Sequence, residues 1–166
     1  MEENIINKEQ AINKVKEKGK NLEILPFEFQ DDKEVVIAAL EQDGEALEFA
    51  SDRLKDDKEV IMFATSKAPW TAFYASERLK ADRDVIFSSV KEYGQTLYYA
   101  SEELRDDEEV VKAAISNKGL IIKYASFRLR DNKELAEIAV KQNKEAFHFL
   151  SSRLKQDEDI KNLISK

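Results

Sequence analysis

Residues 32–56 read DKEVVIAALEQDGEALEFASDRLKD, and the same letters return after each step of 25 residues. Asp32, Asp57, Asp82 and Asp107 mark the step, and Asn132 and Asp157 continue it. Ala50-Ser51 recurs as Ala75-Ser76, Ala100-Ser101 and Ala125-Ser126, with Leu54, Leu79, Leu104, Leu129 and Leu154 in a column behind. No insertion breaks the register. A fixed period of this length marks one small unit stacked on copies of itself, because each unit alone cannot bury its apolar face. The expectation is an all-α fold, an α-solenoid or superhelix of stacked 25-residue helical hairpins forming a single domain over 1–166. Its parts are a degenerate first repeat at 7–31, repeats at 32–56, 57–81, 82–106, 107–131 and 132–156, and a capping helix at 157–166.

Within the type repeat, two helices are expected. The first opens on acids, where a carboxylate accepts from unpaired amides and complements the helix dipole. Asp31 and Glu34 have capping-box spacing. Val35, Val36, Ala39 and Leu40 then share one face over about ten residues. Gly44, with Gly19, Gly94 and Gly119 in the same column, reads as a left-handed glycine ending that helix. The second helix is expected to bury Leu47, Phe49, Ala50 and Leu54, with Leu97, Tyr99, Ala100 and Leu104 as counterparts two repeats on. Small residues at 39, 64, 114 and 139, with Ser89 among them, allow close helix approach. Ser51 either bonds back within the second helix or caps a separate short turn over Asp52–Leu54; a broken helix is slightly preferred.

Composition narrows function more than it identifies it. The hydrophobic fraction of 42% supports a substantial core, and four glycines and two prolines suit helices. Net charge is −7 with both signs interspersed, so no basic stripe exists for phosphates and nucleic-acid binding is not expected. The absence of cysteine fits a reducing compartment. Residues 1–8 lack a secretory pattern, and no stretch approaches the ~18 apolar residues of a membrane span. A cytoplasmic protein is expected.

The pattern Asp-Lys-Glu-Val-Val-x-Ala-Ala-x-x-x-x-Gly-x-x-Leu-x-Tyr/Phe-Ala-Ser-x-x-Leu-Lys/Arg-Asp, best seen in 32–56 and 107–131, resembles the helical repeats of the domain of unknown function numbered 4116. The resemblance covers nearly the whole chain and departs at Pro69, Ala81 and Leu150. It implies a superhelical array of helical hairpins, right-handed or otherwise, and carries no catalytic residues.

No catalytic, cofactor or metal site is expected. The acidic pairs Asp31-Asp32, Asp56-Asp57 and Asp106-Asp107 stand at helix starts and read as caps, with no calcium-loop spacing around them. His148 is the single histidine and reads as a surface residue. Arg53, Arg78, Arg128 and Arg153 read as inter-repeat ion pairs more than as an anion site.

The departures between repeats are more telling. Residues 70, 73 and 77 share a face if one helix runs through them. The earlier repeat carries Glu45, Glu48 and Asp52 there, and the later ones Gln95, Tyr98, Glu102 and Leu120, Lys123, Phe127. Trp70, Phe73 and Tyr98 are the candidate partner-binding anchors, with Glu48, Glu77 and Glu102 as an acidic rim suited to a basic amphipathic segment. The competing reading is that Trp70 packs over Pro69 and Phe73 fills a gap. Met62, Phe63 and Phe87 form a weaker cluster.

The functional expectation is a non-enzymatic module binding a protein or peptide, without cofactors. The alternatives are a structural element, monomeric or associating end to end through Ile5, Ile6, Ile160 and Ile164, and an acidic inhibitor that imitates nucleic acid.

Overall fold

The computed structural model describes residues 6–165; Ile5, named above as an end residue, lies outside them. The fold is an all-α repeat solenoid. The chain divides into two compact units, one ending at Leu79 and one beginning at Lys80, and each is built by the same rules.

In the first unit the type repeat is a ten-residue helix Lys33–Gln42, a six-residue 3-10 helix Gly44–Phe49 and a four-residue helix Asp52–Lys55. The expected hairpin is therefore a three-piece repeat. Asp32 caps the long helix, its carboxylate accepting from the amides of Glu34 at 3.0 Å and Val35 at 3.3 Å, a contact worth about 1 kcal/mol. Asp31 does not form the expected capping box, since its carboxylate is taken by Ser51 and Arg53 of the following repeat.

The long helix stops because Asp43 is extended, at φ −152° and ψ 110°, while its amide still donates to Ala39 O. No described glycine has a positive φ, so the left-handed reading of Gly44 and its column is wrong. The glycines are there for close approach. A Cβ at Gly19 would lie 2.6 Å from Ala39 O, and one at Gly44 would lie 2.8 Å from Ala68 Cβ. Each glycine thus lets its 3-10 helix abut the end of the next long helix, and Ala39 and Ala64 are the small residues on the other side.

Ala50, at φ −67° and ψ 152°, ends the 3-10 helix, and Ser51 caps the short helix by accepting from Leu54 N at 3.3 Å. That settles the role of the recurring serine. At the 3-10 period of three, Gly44, Leu47 and Ala50 turn inward, and Ala46 and Leu54 are buried with them, while Phe49 is only half-buried. Stacking adds one backbone hydrogen bond at each step: Ser51 N to Gln30 O at 2.9 Å and Ser76 N to Lys55 O at 3.0 Å. Val35, Val36, Leu40, Val60 and Ile61 fill the core at 0% exposure, each contributing about 1.5–3 kcal/mol by leaving water.

The second unit repeats this plan with long helices Arg83–Glu92, Glu108–Asn117 and Lys133–Gln142. Its core joins Ile86, Leu97, Val111, Ile122, Leu135 and Val140. Ser101, Ser126 and Ser151 donate their amides to Lys80 O, Arg105 O and Arg130 O at 2.9–3.2 Å. A Cβ at Gly94 or Gly119 would meet Ala114 O or Ala139 O at 2.5 and 2.3 Å. Tyr99, expected inside, is 36% exposed, as its counterpart Phe49 is half-buried. The helix Glu158–Ser165 closes this unit, with Ile160 buried and Leu163 and Ile164 packed on the core. No helix among the described residues is long and apolar enough to cross a membrane.

Candidate functional site

Two ladders of side chains run along the repeats of each unit and account for the recurring aspartates, arginines and helix-starting bases as structure. In one, the aspartate before each capping residue accepts from the serine and arginine of the next repeat. Arg53 Nε reaches Asp31 at 2.9 Å, and Arg78, Arg128 and Arg153 reach Asp56, Asp106 and Asp131 at 3.0 Å. The serine hydroxyl, then the arginine, holds the Asp31, Asp56 and Asp106 carboxyls below the usual range; at Asp131, Ser151 leads and burial opposes. In the other ladder a base at the start of each long helix pairs with the next cap: Lys8 with Asp32, Lys33 with Asp57, Arg83 with Asp107, at 2.9 Å each. Burial raises the Asp32, Asp57 and Asp107 carboxyls, but these bases and the capped amides outweigh it.

Where a ladder fails, both partners change together. Ala81 stands in the aspartate column, and Glu103 replaces the arginine that would have met it. Glu103 instead accepts from its own amide and from Ser101. Likewise Glu108 replaces the helix-starting base and Asn132 the acidic cap, while Lys112 reaches Glu134 at 2.5 Å nearby. Paired loss is what an interaction maintained for stacking requires. Among the described residues no group of three or more His, Cys, Asp or Glu side chains could hold a metal ion, and His148 is exposed.

The candidate anchors lie on 3-10 helices. In the first unit, Trp70 and Phe73 are 44% and 40% exposed on the helix Pro69–Tyr74, three residues apart and hence on one edge. Trp70 Nε1 donates to Glu45 Oε1 at 3.2 Å, and Glu45 also accepts from Lys20 at 2.6 Å. Phe73 lies against Tyr74, ring centroids 4.0 Å apart, and burial, then a hydrogen bond with Glu48, raises the Tyr74 phenol. Aromatics and acids alternate on this surface. Glu77 begins the separate helix Glu77–Lys80, so helical spacing does not put it on the Trp70 and Phe73 edge. Met62 and Phe63 sit apart on the long helix, half-buried.

In the second unit, Tyr98 is 54% exposed on the helix Gly94–Tyr99 and touches Tyr99 and Tyr124, both at 4.9 Å. Glu102 opens the following short helix, again breaking the periodicity that had joined it to position 95. Phe87 lies against this unit's core with Lys91 over its ring at 4.1 Å.

Sequence reasoning missed Glu45 as the partner of Trp70, although the step of 25 that separates them was in view. It also missed Arg105 and Arg130, which line a cleft with Phe127; their signal was a column otherwise filled by Gln30, Lys55, Lys80 and Lys155.

A family model described as Domain of unknown function (DUF4116) matches residues 7–55, 32–80, 57–105, 82–130 and 132–161, so the matched windows advance in step with the repeat. No curated protein and no solved structure matches the chain.

Proposed function

The chain belongs to the DUF4116 repeat family, and we propose that it is a non-enzymatic module that binds a protein or peptide on the face carrying its 3-10 and short helices. The observation that carries this reading is the exposed pair Trp70 and Phe73, in columns where the preceding repeats of the same unit have Lys20, Glu45 and Glu23, Glu48. The stacking rules do not ask for aromatics there. Large aromatic side chains with a polar surround supply much of the energy at protein interfaces. Tyr98 is the corresponding anchor in the second unit.

Acids beside the rings of the first unit, Glu45 at Trp70 and Glu48 at Tyr74, favour a basic, amphipathic partner segment there, while Glu77 and Glu102 stand on the following short helices. The net charge of −7 steers such a partner in and disfavours nucleic acid. A cytoplasmic setting belongs to the same reading, as a chain without cysteine suits a reducing compartment.

Trp70 is the single tryptophan, so its emission reports on this surface alone. Titration with short peptides alternating Lys and Leu should shift that emission saturably, and peptides alternating Glu and Leu should not. Equal responses to both, or an unchanged response in Phe73→Ala, would remove the reading.

A further inference from the structure

In the second unit a cleft of about 320 Å3 is lined by Glu102, Arg105, Tyr124, Phe127 and Arg130. Two of these residues, Arg105 and Arg130, depart from the repeat. In the column of Arg105 and Arg130 the side chain ordinarily closes its own repeat: Gln30 Nε2 donates to Leu22 O, Lys55 Nζ to Glu48 O and Lys155 Nζ to His148 O. The two arginines do not. Arg105 has Glu102 Oε1 at 3.9 Å, beyond hydrogen-bonding reach. Arg130 reaches Phe149 O at a long 3.5 Å, and the Nε of each arginine is shielded without an acceptor.

By contrast, Arg53, Arg78, Arg83, Arg128 and Arg153 each donate to an aspartate of an adjoining repeat. Among the described residues, the two guanidiniums that donate no hydrogen bond to a carboxylate are the two in this cleft. Phe127 stands in the column of Phe27, Asp52, Glu77 and Glu102; it is 70% exposed and, unlike Phe27, has two arginines beside it, with the Arg130 guanidinium 6.0 Å from its ring centre. Lys123, over the Tyr124 ring at 4.8 Å, adds a third cation. Around Glu102 the cations are therefore in local excess, on a chain that is acidic as a whole.

We propose that this cleft binds an acidic peptide segment, one carboxylate engaging Arg105 and Arg130 while a neighbouring apolar side chain of the peptide rests on Phe127. Guanidinium forks fit carboxylates with two parallel hydrogen bonds. The exposed ring beside them selects a peptide over a small free anion, which would leave that ring in water. Glu102, whose side chain is 92% exposed, competes for Arg105 and is displaced on binding. The site is independent of Trp70 and takes the opposite charge, so the two readings fail separately.

The test is fluorescence anisotropy with a short labelled peptide containing Glu-Phe-Glu, beside Lys-Phe-Lys and Glu-Ser-Glu versions. The variant Arg105→Lys with Arg130→Lys installs the residue that equivalent repeats carry at 55 and 155, so it keeps the fold and the charge. It should weaken Glu-Phe-Glu binding about tenfold by losing the fork. Phe127→Ser, the residue this column carries at 152, should reduce affinity to that of Glu-Ser-Glu, and Glu102→Gln should tighten it. The proposal is overturned if Glu-Phe-Glu binds no better than Lys-Phe-Lys, or if the lysine variant binds as wild type does. It is overturned equally if inorganic phosphate competes as well as unlabelled peptide, which makes this a general anion site. Sedimentation showing a dimer that Phe127→Ser dissolves would give the cleft to a second copy of the chain and overturn it too.

Discussion

Gly119→Ala separates close approach from backbone conformation as the reason for the glycine column. Gly119 does not have a positive φ, so its backbone accepts alanine. Were its surroundings open, the substitution would stabilise the protein by about 0.4–1 kcal/mol through the unfolded chain. They are not open. The new Cβ would lie 2.3 Å from Ala139 O and 2.9 Å from Gln142 Oε1, and that same Oε1 accepts from Gly119 N at 2.6 Å. Gln142 can swing away, whereas Ala139 O is fixed in the long helix of the next repeat, so the stacking step itself must widen. Overpacking costs about 1–3 kcal/mol, and a 2.3 Å approach to a fixed carbonyl belongs at the upper end, about 2–3 kcal/mol, which leaves a net loss of roughly 1–2.5 kcal/mol after the entropic gain. For a chain of this size that is about 2–10 °C in Tm. Urea titration followed by circular dichroism would measure it. Gly44→Ala, whose first contact is Ala68 Cβ at 2.8 Å, should cost less. Lys144→Ala, an exposed position in the same column, should be close to neutral. A neutral or stabilising Gly119→Ala would refute the reasoning.

The aspartate ladder sets an acid limit. Asp31, Asp56, Asp106 and Asp131 have lowered pKa values in the folded chain, so their contribution is full above the unfolded value of about 3.9 and vanishes as pH falls through the folded one. Urea midpoints should therefore drop below about pH 4, and Asn at all four positions should flatten that drop; identical pH slopes would contradict it. Ala81→Asp with Glu103→Arg should rebuild the missing rung, with a coupling of about 0.2–1 kcal/mol in a double-mutant cycle. Zero coupling would mean that the paired loss is incidental. Ser89 is 1% exposed with an unbonded hydroxyl where Ala39, Ala64, Ala114 and Ala139 stand elsewhere. Ser89→Ala should accordingly stabilise by about 1 kcal/mol in the same titration, and a loss of stability would show that the hydroxyl is used.

Much of the fold was legible because a strict period turns every local rule into a repeated one. The ten-residue helix, its acidic start and the arginine ion pairs all follow from columns of like residues at a step of 25. The errors came where one letter serves two purposes. Glycine permits a left-handed turn and also a close approach, and only the position of Ala39 O or Ala139 O in the neighbouring repeat tells them apart. Asp31 and Asp32 are the same letter, yet one faces the next repeat and the other caps its own helix. Ala50-Ser51 is compatible with a continuous helix, and the break there depends on the amide of Ser51 finding Gln30 O one repeat back. That break displaced Glu77 and Glu102 from the faces drawn for them, while Trp70 and Phe73, inside one 3-10 helix, remained neighbours.

The most direct measurement is affinity capture from a lysate of the cells that make the protein, using wild type beside a Trp70→Ala, Phe73→Ala, Tyr98→Ala variant shown by circular dichroism to be folded. A binding module anchored on these rings predicts a partner held by wild type and lost by the variant. The same proteins captured by both, or none by either, would contradict it and leave the rings as packing residues of a structural array.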